Sequence, residues 1–82
     1  MKINIKTNSV HLVRELIGLC EQVLETPKKD HFEVLIADNS IDYVEIHFSY
    51  VTIYFKEKKY FNSGIRSYGI KRAQLISFEV IE

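Results

Sequence analysis

Over residues 10–25 the apolar side chains recur every three to four positions, the interval of an α-helix. Stepping about 100° per residue puts Leu19, Leu12, Val23, Leu16, Cys20, Val13, Leu24, Ile17 and Val10 on one half of the axis. Glu21, Arg14, Glu25, Gly18, His11, Gln22 and Glu15 fill the other half. A helix patterned this way must lay its apolar half on another element. Thr7, Asn8 and Ser9 precede it, and a short side-chain oxygen from any of them can accept from the free amides of a first turn. Pro27 sets the far limit, because it pushes Thr26 out of helical angles. The spacing therefore predicts one helix over about 10–25. Its apolar half is broader than the roughly 100° stripe a surface helix needs. That excess is compatible with a curved sheet wrapped around it, or with a homodimer.

The flanking segments read as strands. Residues 2–6 alternate with period two. Residues 31–37 set Phe32, Val34 and Ile36 on one face, and 42–50 set Val44, Ile46 and Phe48 on one face. Asp38-Asn39-Ser40 between them is turn chemistry. The phase then slips, since Val51, Ile53 and Phe55 continue one residue out of step. No Gly, Pro, Asn or Asp stands at this junction, which favours a bulge in one bent strand over a tight hairpin at Ser49-Tyr50. Glu57 and Lys58 can turn the chain into a short strand around Tyr60, and Asn62-Ser63-Gly64 and Gly69 mark an irregular stretch. Residues 75–81 read as a last strand with Ile76, Phe78 and Val80 inward. The expected fold is one α+β domain over 1–82. It is a two-layer sandwich, with the N-terminal amphipathic helix packed on a mostly antiparallel sheet of about four to six strands in β-α-β-β-β-β order. The sheet face turned from the helix should carry Tyr43, Glu45, His47 and Tyr54.

The totals agree with a small self-sufficient domain. Eighty-two residues support one core but leave little room for a deep enclosed pocket beside it. The single cysteine, Cys20, precludes an intrachain disulfide and falls among the helix's apolar residues, where a thiol acts as a small hydrophobe. Residues 1–9 contain no apolar run of signal-peptide type, and no stretch approaches the roughly 20 apolar residues of a membrane span. A cytoplasmic location without membrane contact is the expectation. Eleven Ile and eight Lys against one Pro and three Gly point to a low-GC bacterium or one of its phages.

Eleven basic and eleven acidic residues leave no net charge, which argues against a surface built wholly for nucleic acid. The charges are nevertheless segregated. Residues 30–49 hold five acids and no Lys or Arg, whereas 56–72 hold six bases and one acid. The candidate partner-binding residues are Tyr54, Lys56, Lys58, Lys59, Tyr60, Arg66, Tyr68, Lys71 and Arg72. Cations interleaved with aromatic rings suit an acidic protein partner, and equally a single-stranded nucleic acid. The plain alternative is pairing of acidic and basic strands across the sheet.

His31, Glu33, Glu45 and His47 form a second candidate. Pairing Val34 with Val44 would oppose the two histidines and the two glutamates, which are ligand types that zinc takes. The next register sets Glu33 against His47, a simple favourable pair, and is preferred because it avoids two opposed carboxylates. No metal or cofactor is therefore expected. Ser63, Gly64 and Gly69 lack the spacing of a phosphate loop, and no catalytic set emerges. The resulting expectation is a small non-catalytic protein-binding module, of inhibitor, immunity or adaptor type. A nucleic-acid-binding regulator using the basic aromatic segment 54–72 is the alternative.

Overall fold

A computed structural model describes residues 1–59 and 64–81. The described residues form one α-helix, α1 (Val10–Leu19), a single 3-10 turn at Arg72–Gln74, and seven strands. These are β1 (Lys2–Thr7), β2 (Val23–Pro27), β3 (Phe32–Ala37), β4 (Ile41–Ile46), β5 (Tyr50–Lys59), β6 (Ile65–Lys71) and β7 (Ser77–Val80). The expected helix on antiparallel strands is present, but the strands form two sheets. The first has the order β2-β3-β1-β7 and the second β4-β5-β6, every pairing antiparallel.

Alternation in β1 decides the first sheet. Ile3 stands opposite Ile36 on one side and Val80 on the other, and Ile5 stands opposite Val34 and Phe78. These rows face α1, whose Leu12, Val13, Leu16 and Leu19 are buried. Val51, Ile53 and Phe55 of β5, with Ile70 of β6, are buried on the inner face of the second sheet, and most of them join the same core cluster. Phe78 packs against that core, but Ile76 and Val80, expected inward, stay exposed at the margin of the edge strand β7.

The helix begins where the sequence indicates. Ser9 caps it, its Oγ accepting from the Leu12 amide at 3.1 Å. It ends six residues early. Cys20 is extended and donates its N–H back to Leu16, while the Glu21 amide donates to Asp38 Oδ2 at 2.8 Å. Gln22 takes a left-handed φ of 50°, and Val23 then pairs with Ile36 as part of β2. Val23, Leu24 and Glu25 satisfy both a helical wheel and a strand. The strand prevails because β3 has an edge to cover and Asp38 diverts the backbone. Leu24 consequently lies 61% exposed on the outer side of the sheet. Val10 and Ile17, at the margins of the apolar half, are exposed as well.

The other corrections concern connections. β3 and β4 do not pair; Asp38-Asn39-Ser40 carries the chain from one sheet to the other. Asp38 is fully buried, and its Oδ1 accepts from the amide and the hydroxyl of Ser40. The phase slip after Phe48 is a tight hairpin rather than a bulge. Ile46 pairs with Val51, and the His47 amide donates to Tyr50 O at 2.8 Å. Phe48 and Ser49 turn without a left-handed residue. Arg72 supplies the missing turn chemistry, its Nε donating to His47 O at 3.1 Å and its amide to Ser49 O at 3.0 Å.

Two stability outcomes follow. Asp38→Ala removes the buried acceptor of three part-buried donors and should lower unfolding free energy by about 2–4 kcal/mol in urea titration, with Asp38→Asn losing less. An unchanged midpoint for Asp38→Ala would contradict the role given to this carboxylate. Gln22→Gly relieves the left-handed strain and should be neutral to stabilising by up to about 1 kcal/mol; marked destabilisation would show that the turn at this residue does not depend on its φ.

Candidate functional site

The outer face of the second sheet is built by cross-strand register. Tyr43, Tyr54 and Ser67 form one row, and Glu45, Thr52 and Gly69 the next. Tyr50 stands opposite Lys71 beside His47. The four residues expected on the face turned from the helix therefore do share a face.

Their geometry is tight. The Tyr43 and Tyr54 rings stack with centroids 4.5 Å apart and planes 14° from parallel. His47 and Tyr50 stack likewise at 4.4 Å and 23°. Tyr54 donates its hydroxyl to Glu45 Oε1 at 2.7 Å, and His47 Nε2 lies 3.5 Å from the same oxygen. One carboxylate thus ties the two aromatic pairs together. The Tyr54 hydrogen bond holds the Glu45 carboxyl below the usual glutamate value, with His47 adding to the effect. The same bond pushes the Tyr54 phenol up to about 12. Any stability the bond lends is complete above the ordinary glutamate value and fades as pH falls through the depressed one. At the alkaline end it is complete below the ordinary tyrosine value and is lost as pH rises toward 12.

The basic aromatic segment is divided by the fold. Tyr54 and Lys56 of β5 and Lys71 of β6 alternate onto the outer side, and Lys56, Arg66, Lys71 and Arg72 are all exposed. Tyr68 instead stands opposite Ile53 and packs against the core, where burial raises its phenol. Lys58 and Lys59 end β5, and Tyr60 lies outside the described residues.

The histidine–glutamate quartet does not assemble, because its two strands belong to different sheets. His31 Nδ1 sits 2.8 Å from Asp30, with Nε2 3.7 Å from Glu33, near the start of β3. Glu45 and His47 stay on the aromatic face. Among the described residues no group of three or more His, Cys, Asp or Glu is arranged to hold a metal, and no helix is long and apolar enough to cross a membrane.

Two features escaped the sequence pattern. Tyr50 looked like a junction residue, and only the hairpin brings it against His47. Gly69 looked like a sign of irregular chain, yet it lies inside a strand with Thr52 across from it. Beside it runs an open groove of about 590 Å³ lined by Ser49, Tyr50, Gly69, Ile70, Lys71 and Ala73. Comparison of the chain with known protein families, curated proteins and solved structures finds no match.

Glu45→Gln should bring the Tyr54 phenol from about 12 back toward 10 in an ultraviolet phenolate titration, leaving Tyr68 unmoved. A Tyr54 titration that ignores the substitution would show that Glu45 does not control it.

Proposed function

We propose that this domain is a non-catalytic protein-binding module that meets its partner with the outer face of the second sheet. The observation that carries the reading is the uncovered aromatic face fixed before any partner arrives. Tyr43, Tyr54, Tyr50 and His47 are held in two stacks around Glu45. Tyrosine is a favoured interface anchor, and rings already held in place lose little freedom on binding.

A nucleic-acid reading draws on the exposed Lys56, Arg66, Lys71 and Arg72 of the second hairpin and its end. It is disfavoured by Glu45 and Asp42. Both are exposed on β4, and they put negative charge on and beside the rings that would stack on bases.

The experiment is affinity capture from the source cell, with and without nuclease, using wild type and a Tyr43→Ala/Tyr54→Ala variant. A partner retained after nuclease, and lost by a variant with an unchanged circular dichroism spectrum, is the expected result. Material that disappears with nuclease, together with oligonucleotide binding that weakens steeply with salt, would replace this reading with the nucleic-acid one.

A further inference from the structure

Gly69 has no internal reason to be glycine. Its backbone is not left-handed, unlike that of Gly64 with φ 81°. A Cβ placed on it meets no atom within 4 Å, so packing does not require its absence either. Glycine inside a strand costs roughly 0.5–1 kcal/mol relative to alanine. Strand glycines often mark a bulge, a tight bend or a close approach by a ligand or another backbone, and Gly69 pairs regularly with Thr52, which leaves the close approach.

The strand that holds Gly69 is an edge. Among the described residues the two sheets have four edges, β2 and β7 in the first and β4 and β6 in the second. Edge strands are normally blunted against pairing with foreign chains. β2 ends in Pro27, β7 spans four residues, and β4 shifts register between Ile41 and Tyr43. β6 has seven residues and contains no proline or acid; its register shifts between Ile65 and Ser67, but the five residues from Ser67 to Lys71 keep regular pairing. Ser67, Gly69 and Lys71 are exposed along it.

Charge indicates the occupant. Exposed Arg66 and Lys71 lie on β6, and exposed Arg72 follows it. The groove beside Gly69 is open to solvent and is lined by three consecutive β6 residues, Gly69, Ile70 and Lys71, which suits an extended chain better than an enclosed small molecule.

We infer that β6 is a docking edge for an extended acidic segment of a partner protein, which adds as a fourth strand to the second sheet and seats a side chain over Gly69 beside Tyr50. This inference rests on the reading of the second sheet as a protein-binding surface. Gly69 then trades intrinsic strand stability for a backbone notch, and Arg66 and Lys71 select acidic side chains on the incoming strand.

The test is a displayed library of random decapeptides selected on wild type, Gly69→Thr and Lys71→Glu. Wild type should enrich acidic, strand-forming sequences. A synthetic peptide of the enriched sequence should bind Gly69→Thr at least about tenfold more weakly. That variant should melt no lower than wild type, since threonine is the better strand residue. Gly69→Ala should fall between the two. Hydrogen exchange of the complex should show new amide protection confined to residues 65–71. Absence of enrichment, equal binding to Gly69→Thr, or protection on β2 or β7 instead would overturn the inference. So would a wild-type dimer in sedimentation that Gly69→Thr converts to monomer, because the occupant would then be a second copy. Loss of the captured partner with Tyr43→Ala/Tyr54→Ala but not with Gly69→Thr would remove the edge inference and keep the binding face. Retention by both variants would remove both.

Discussion

Asp38 lies fully buried where the chain leaves the first sheet for the second, and its two oxygens are divided between the parts it joins. Oδ1 holds the amide and hydroxyl of Ser40, which leads into β4, and Oδ2 holds the Glu21 amide just past α1. A buried carboxylate is costly unless its lone pairs are occupied, so these donors must sit where the carboxylate can reach them. That requirement turns the chain out of the helix toward β2 and fixes the corner from which β4 starts. The aromatic face and the β6 edge inherit their position from this corner.

Arg72 plays a smaller part of the same kind. It ties the β4–β5 turn to the end of β6 through His47 O and Ser49 O. With that support the turn can carry Phe48, which is 99% exposed, and bring His47 over Tyr50. The stacked pairs are thus the downstream result of two polar anchors, one buried and one exposed. The face they form combines stiffness, from stacking and the Tyr54–Glu45 bond, with an open edge. This combination suits recognition because a partner would not have to order the surface it meets.

Much of this was legible in the chain. The Ser9 cap, the inward residues of β1, β3 and β5, and the shared face of Tyr43, Glu45, His47 and Tyr54 all follow from local periodicity. Periodicity failed at 20–25, where Val23, Leu24 and Glu25 fit helix and strand alike, and at 46–51, where the turn carries no Gly, Pro, Asn or Asp. It failed again for Tyr68, which lies in a basic aromatic run yet packs inward because β6 alternates around Ile70.

What the sequence determined by itself was the start of the helix, the strands β1, β3 and β5 and the apolar residues these elements bury, because alternation and helical spacing act within a few residues. Only the tertiary structure decided that there are two sheets, that β3 and β4 do not pair, and that His31 and His47 are kept apart. Those outcomes depend on Asp38 reaching Glu21 seventeen residues away and Arg72 reaching His47 twenty-five residues away. Contacts at that separation leave no periodic trace in the chain, and it is they that set which strands become neighbours.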